Sequence, residues 1–333
     1  MTFSGTTMAF MGIMPLFTGT TPAFGTNCCC AGLTSGLVYI EVGSGIKWFK
    51  PYSAIPKFDA SGNVFVGKTG VNSAEVLKFN SAGIAQWSHN IGPGGVSSMD
   101  IDGADSAYVI ISGGSYKITS GTQAWTGAGG NYIHYSASRN KVIVTGGNVL
   151  VLNVATGTTE QDFSPVNGGS FSLGSVTDAN GDTYVATQDL NSDLVIHKYA
   201  GTNETTTWVS GTNMTTPLHY DAAADKLYGV SAAGQLHEID KSTGGTTLVS
   251  HVNTWQTTQY IDTDSSSRFY LNGCSFGGTN YAAIRYSGTA ADWGYDPSAF
   301  FNIDGQFHAA DATGTAMAMV VFFDQGNLSA PLF

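Results

Sequence analysis

The sequence predicts an all-β fold: a seven-bladed β-propeller closed by N- and C-terminal strands in one blade and preceded by an extended N-terminal arm. Three observations predict it. A turn-and-strand landmark recurs at blade-length intervals, a strand–glycine–tryptophan landmark runs in phase with it, and the composition is rich in Gly, Ser, Thr and Asn. Charged residues make up 11% of the chain, against about 25% in an ordinary soluble domain. Apolar content is 42%, which sets the chain apart from disordered tails and membrane bundles.

The first landmark is a polar turn that leads into an apolar strand. It reads Asp59-Ala-Ser-Gly-Asn-Val-Phe65, Asp102-Gly-Ala-Asp-Ser-Ala-Tyr108, Ser136-Ala-Ser-Arg-Asn-Lys-Val142 and Asp178-Ala-Asn-Gly-Asp-Thr-Tyr184. Asp221-Ala-Ala-Ala-Asp-Lys-Leu227, Asp264-Ser-Ser-Ser-Arg-Phe-Tyr270 and Asp311-Ala-Thr-Gly-Thr-Ala-Met317 complete the set. Asp and Ser suit the first position because their side-chain oxygens accept from the backbone just ahead. In each copy the large apolar residue is expected six positions later. The starts lie 43, 34, 42, 43, 43 and 47 residues apart, the period of a propeller blade. The short second interval predicts a pared-down second blade.

The second landmark is an alternating strand, a Gly turn and a short strand that usually holds Trp. Its copies run from Val76 through Gly83 to Trp87, Tyr116 through Gly121 to Trp125, and Val149 through Gly157 to Phe163. Leu194 through Gly201 to Trp208, Leu236 through Gly244 to Leu248, and Ala282 through Gly288 to Trp293 follow. Alternation with period two puts each strand face against a neighbouring blade, and wide aromatics fill the outer wedge where blades diverge. Seven first landmarks face six internal second ones. The seventh is at the other end of the chain, from Leu37 through Gly45 to Trp48. The last sheet should therefore take inner strands from about 306–323 and outer strands from about 37–50, which removes the open edge of the ring. The division is 1–36 as arm and 37–333 as propeller.

The strand–Gly–Trp pattern resembles the PQQ-like (quinoprotein-type) propeller repeat, most closely at Gly45/Trp48, Gly83/Trp87, Gly121/Trp125 and Gly288/Trp293. The resemblance implies architecture over residues 37–323. The family's enzymes are longer, generally eight-bladed, and hold the quinone over a vicinal cysteine pair with calcium. Here the adjacent cysteines, Cys28, Cys29 and Cys30, lie outside the blades. No cofactor is expected, and the non-enzymatic members that use the ring as a scaffold are the nearer analogy. Three consecutive cysteines plus Cys274 match neither a disulfide framework nor a zinc site.

Residues 1–40 contain no charged side chain. The apolar run from Met8 to Phe17 is interrupted by Gly12 and Pro15 and is half the length of about 20 residues that a span requires, so no membrane insertion is expected. The segment has no basic n-region, as a secretory signal would. Free termini of this composition usually fray. Phe3, Met8, Phe10, Met11, Met14, Phe17 and Phe24 thus form a candidate assembly surface, buried either against a neighbouring protein or against the chain's own domain.

No nucleophile elbow, H-E-x-x-H or phosphate-binding loop occurs. Six polar residues precede the turn landmarks by two or three positions on the expected inner strands: Lys57, Asp100, His134, His219, Asp262 and His308. They form a candidate ring around the central channel, able in principle to bind a metal or an anion, or simply bonded to water and neighbouring strands. The acidic segments at Asp100–Asp105 and Asp178–Asp182 lack the 12-residue loop and terminal Glu of an EF-hand and read as turns. No metal site is assigned.

A net charge of −11 with 13 basic residues argues against nucleic-acid binding. The first expected role is a structural virion protein of a tailed phage (a tail, fibre, baseplate or decoration component). Its partners would be other virion proteins through the arm, and a host surface glycan or protein through the disc. The alternative is a scaffold or binding protein of the cell envelope, in the periplasm or at the cell surface. An enzyme at the channel mouth is the third reading; the absence of a catalytic set leads us to expect no enzyme.

Overall fold

Alternating, β-branched and aromatic-rich segments separated by Gly, Asn and Asp turns form strands and little else, and every regular element described is a strand. The computed structural model describes residues 35–69, 73–164, 171–188, 194–201, 203–210, 218–231, 235–249, 261–276, 279–287, 290–295 and 308–322. The candidate arm residues Phe3, Met8, Phe10, Met11, Met14, Phe17 and Phe24, together with Cys28, Cys29 and Cys30, lie outside them.

The chain opens with β1 (Ser35–Glu41) and β2 (Gly45–Lys50). Blade 1 is β3 (Ala54–Phe58), β4 (Val64–Lys68), β5 (Ala74–Phe79) and β6 (Ala85–Gly92). Blade 2 is β7 (Val96–Ile101), β8 (Ser106–Ile111), β9 (Gly114–Thr119) and β10 (Thr122–Gly127). Blade 3 is β11 (Tyr132–Ser136), β12 (Lys141–Thr145), β13 (Val149–Asn153) and β14 (Thr159–Phe163). Blade 4 is β15 (Phe171–Thr177), β16 (Asp182–Gln188), β17 (Leu194–Ala200) and β18 (Asn203–Ser210). Blade 5 has the shortest strands, β19 (His219–Asp221), β20 (Lys226–Val230), β21 (Leu236–Ile239) and β22 (Thr246–Leu248). Blade 6 is β23 (Ile261–Thr263), β24 (Phe269–Phe276), β25 (Thr279–Ser287) and β26 (Ala290–Tyr295). The last inner strands are β27 (His308–Ala310) and β28 (Ala316–Phe322).

Blade 7 has the order β2-β1-β28-β27, so both ends of the chain supply it, as the landmark count requires. β1 and β28 pair antiparallel without interruption from Ser35↔Phe322 to Glu41↔Ala316. Leu37, Val38, Met317, Ala318, Met319 and Val320 are fully buried there. Val38, Met317 and Met319 pack with Tyr270 and Trp293 of blade 6. Leu37, Ala318 and Val320 pack on Val64 and Val66 of blade 1.

One expectation needs correcting and another refining. The second blade is not pared down: β7, β8, β9 and β10 each have 6 residues. The chain is saved in the connections, because only residues 112–113 and 120–121 separate β8 from β9 and β9 from β10. The residue six positions after the turn start is apolar and buried in all seven blades, but it is not the same structural position in three of them. In blades 1, 2, 4 and 6 the turn closes between Asp and the fourth residue on, as in Asp102 N–H to Ser106 O. In blades 3, 5 and 7 it closes one residue later, at Ser136↔Lys141, Asp221↔Lys226 and Asp311 to Ala316. The extra residue moves the equivalent position from six to seven, onto Ile143, Tyr228 and Ala318.

This length difference selects a side-chain unit. In the four short-turn blades the sixth residue is aromatic and pairs across the sheet with a base: Phe65↔Lys78, Tyr108↔Lys117, Tyr184↔Lys198 and Tyr270↔Arg285. The Lys78, Lys117 and Lys198 ammonium groups lie 4.7, 5.3 and 5.4 Å from those ring centres, within cation–π range. The turn Asp uses one carboxylate oxygen for the backbone and the other for the phenol. Thus Asp102 Oδ1 accepts from Ala104 and Ser106, and its Oδ2 accepts from Tyr108 at 2.7 Å. Asp178 and Asp264 accept from Tyr184 and Tyr270 at 3.2 and 3.0 Å. Phe65 has no hydroxyl, and Lys78 reaches Asp59 at 3.0 Å instead.

Between blades, tryptophan docks on glycine. Trp48, Trp87 and Trp125 on the outer strands lie over Gly83, Gly121 and Gly157 of the next blade, where an added Cβ would come within 2.7, 3.4 and 2.6 Å of the indole. Trp125 Nε1 also donates to Val154 O at 3.0 Å. Blade 3 ends in Phe163 instead, which packs on Tyr199 at 4.6 Å, and Gly201 has open space around it. In the β1–β2 hairpin the left-handed glycine is Gly43, with φ 88°, while Gly45 is already in the strand.

Blades 3 and 4 meet across polar groups as well as apolar ones, including Thr183, which accepts from Arg139 at 3.2 Å. Thr145 is fully buried and its hydroxyl has no hydrogen-bond partner. Replacing it with the isosteric Val should stabilise the protein by about 1 kcal/mol, since a desolvated, unmade hydrogen bond is removed. Urea denaturation of Thr145→Val tests this; a lower midpoint would show that the hydroxyl is satisfied.

Candidate functional site

The inner strands β3, β7, β11, β15, β19, β23 and β27 succeed one another around the axis, and their polar side chains reach forward to the next blade. Lys57 on β3 has its ammonium 3.9 Å from Asp100 on β7. Asp100 Oδ2 in turn accepts from the backbone N–H of Tyr135 at 2.8 Å and lies 3.1 Å from His134 Nδ1, both on β11. Ser98, two residues before Asp100, accepts from the N–H of Ile133 at 3.1 Å. On the far side His219 Nε2 meets Thr263 Oγ1 at 2.9 Å. Asp262 accepts from Thr263 N–H and, across the seam, from Ala310 N–H, both at 2.9 Å.

These side chains therefore form a belt of ties between consecutive blades. Lys57, Asp100 and His134 are brought together over blades 1–3, and His219 and Asp262 bracket Thr263 over blades 5–6. His308 begins β27, and its side chain lies outside the described residues. Ser98 and Thr263 belong to the same belt. Only period-two spacing from Asp100 and adjacency to Asp262 could have marked them in sequence, and single hydroxyls give no stronger signal.

The electrostatics follow from this bonding. Burial opposes ionisation of Asp100, but the His134 hydrogen bond, the Lys57 ammonium and the Tyr135 amide outweigh it and hold the carboxyl below its ordinary value. Its contribution to stability is thus complete above the ordinary carboxylate range and lost as pH falls through the lower folded value. Burial, aided by Lys57, pushes His219 down against the pull of Asp262 and Asp221. The acidic turns that superficially resemble calcium loops have their oxygens occupied: Asp178 accepts from the N–H groups of Asn180 and Asp182, from Tyr184 and from Lys241. Among the described residues no group of three or more His, Cys, Asp or Glu could hold a metal ion. No helix among them is long and apolar enough to cross a membrane.

Away from the belt, His237 on β21 is buried, and neither ring nitrogen has a partner. It lies on the same strand face as Ile239, which packs against blade 4. The charged groups of that seam are paired elsewhere, Lys198 with Asp182 at 2.8 Å and Lys241 with Asp178 at 3.4 Å. Burial alone lowers the His237 pKa. Below the ordinary value of 6.5 the unfolded chain takes up a proton that the folded one refuses, so stability falls as pH drops. His237→Leu should show a smaller loss of melting temperature between pH 7 and pH 5 than the parent; equal losses would remove His237 from the account.

No protein-family model matches the chain, and no curated protein resembles it in sequence. Among solved structures, the crystal structure of BamB from Moraxella catarrhalis superposes with a TM-score of 0.50 at 16% identity, covering 96% of this chain and 99% of that one. At that identity the likeness concerns fold. The chain's seven four-stranded sheets share their overall fold with that structure.

Proposed function

We propose that this protein is a non-catalytic interaction scaffold, a structural component of a tailed-phage virion that carries its propeller on an uncharged N-terminal arm. The observation that carries the scaffold reading is the use made of the channel's ionisable groups. Asp100 and Asp262 each commit one carboxylate oxygen to a backbone N–H group of the next blade, which stiffens a ring rather than arming a reaction centre. The virion reading is supported by the 11% charged content and by a segment 1–34 free of charge, since proteins covered by neighbours need little surface charge. The arm joins other virion proteins, and the disc offers its loops to a neighbour or a host surface.

Deleting residues 1–34 tests it. The truncated protein should melt at the same temperature as the full chain yet fail to enter purified particles. Normal incorporation of the truncated protein would sink the anchoring role. A processed or lipid-modified N-terminus on the native protein, read by mass spectrometry, would instead place it in the cell envelope. Turnover abolished by Asp100→Asn in a stable ring would restore the enzyme reading.

A further inference from the structure

Blade 5 differs from its neighbours in three ways, each of which weakens it. Its strands have 3, 5, 4 and 3 residues, against 6 in every strand of blade 2, so fewer ladder hydrogen bonds hold it together. Its outer strand also brings no tryptophan to the seam with blade 6. Thr247 pairs with Glu238, which pairs with Tyr228, as Trp125 pairs with Lys117, which pairs with Tyr108. An exposed threonine thus stands where blade 2 docks its indole, and Leu248 beside it is 43% exposed.

The third difference is buried polarity without partners. His237 is buried, and neither ring nitrogen has a hydrogen-bond partner in the protein. Asp221, also buried, accepts at Oδ1 from Ala223 and Ala224, whereas its Oδ2 has no donor. In blades 2, 4 and 6 the second oxygen of the turn Asp takes a tyrosine hydroxyl. Among the described residues no other blade holds three such unpartnered atoms. A desolvated group that makes no hydrogen bond favours any conformation that returns it to water.

His237 adds a dependence on pH. Within its own sheet it lies between Gly229 and Leu248, and the face it shares with Ile239 looks across the seam at blade 4. The charges around it are engaged with one another. Lys198 pairs with Asp182, Lys241 with Asp178 and Asp225, and Lys226 with Glu238 on the opposite face of the blade. Burial alone therefore holds the imidazole below its ordinary value of 6.5, and below that pH an opened blade takes up a proton that the closed blade refuses. His219, the blade's other histidine, is held low by burial and Lys57, but Asp262 and Asp221 pull the other way, which leaves His237 the larger share.

We propose that blade 5 is the point at which the ring opens, and that mild acid releases it while the neighbouring blades stay closed. Short strands, a missing tryptophan dock and unpartnered buried groups place the lowest opening free energy there. The inference concerns the ring itself and stands independently of the virion reading.

Hydrogen–deuterium exchange of the full-length protein at pH 7 and pH 5 tests it, expressed as protection factors so that the direct effect of pH on exchange is removed. At pH 7 the amides of β20 and β21 should be about tenfold or more less protected than those of β8, β9, β12 and β13. At pH 5 blade 5 should lose about another tenfold while blades 2 and 3 keep their protection. His237→Leu should remove most of that acid loss. If it fails to fold, His237→Gln, which keeps a polar side chain but takes up no proton, is measured in its place. Protection in blade 5 equal to or above that of blades 2 and 3 at pH 7 overturns the weak point. An acid loss spread evenly over all blades, or one that the His237 variant keeps for the most part, overturns the acid release.

Discussion

Ending the chain before Ala316 should leave no folded ring. β28 sits between β1 and β27, and Met317, Ala318, Met319 and Val320 are fully buried. Odd positions fill the seam with blade 6 and even positions the seam with blade 1, so the loss opens the ring on both sides at once. Burying each of the larger side chains contributes about 1.5–3 kcal/mol. Together with the lost strand pairing this approaches the roughly 5–15 kcal/mol that separates a typical native state from its unfolded one. Near-UV circular dichroism of the truncated protein should lack the aromatic signal, and urea should produce no cooperative transition. A sigmoidal unfolding curve near the parent midpoint would show that six blades close without the clasp.

The second large effect is expected at the tryptophan docks. Gly157 has φ 71°, and an added Cβ would lie 2.6 Å from the Trp125 ring. Gly157→Val imposes both left-handed strain on a β-branched residue and a clash with a wide, anchored side chain. The combined cost is roughly 3–5 kcal/mol. Gly201 is the internal control, with φ 67° and nothing within 4 Å; Gly201→Val carries the backbone strain alone, roughly 1–3 kcal/mol. The difference between the two, from denaturant midpoints, measures the dock. Equal losses would mean that Trp125 yields freely and that docking adds little.

Architecture was legible in the chain because its two landmarks are local. An Asx turn needs only an Asp and the amides two and four residues on, as at Asp59 with Ser61 and Asn63, so each blade announces itself within seven residues. Counting seven of one landmark against six internal copies of the other was enough to place Leu37–Trp48 beside the last inner strands. The one-residue difference in turn length was not legible. Val142, Leu227 and Met317 satisfy an apolar pattern six positions on as well as Tyr108 does, and only strand pairing shows that Ile143, Tyr228 and Ala318 are the true equivalents. The aromatic–base–carboxylate unit of the short-turn blades was hidden with it.

The channel residues divide in the same way. That Lys57, Asp100, His134, His219, Asp262 and His308 would fall on inner strands followed from their distance to the turns. What they bond to did not, because their partners lie on the next blade, as Tyr135 does for Asp100 and Ala310 for Asp262. Sequence alone determined the all-β class, the blade number, the shared last blade and the absence of charge from residues 1–40, all properties of periodicity and composition. Tertiary structure decided which turns carry an extra residue, which glycines receive a tryptophan and which polar groups become ties. Those depend on the meeting of residues some 30 to 50 positions apart in sequence, where hydrogen-bond direction and steric fit, rather than local preference, select the outcome.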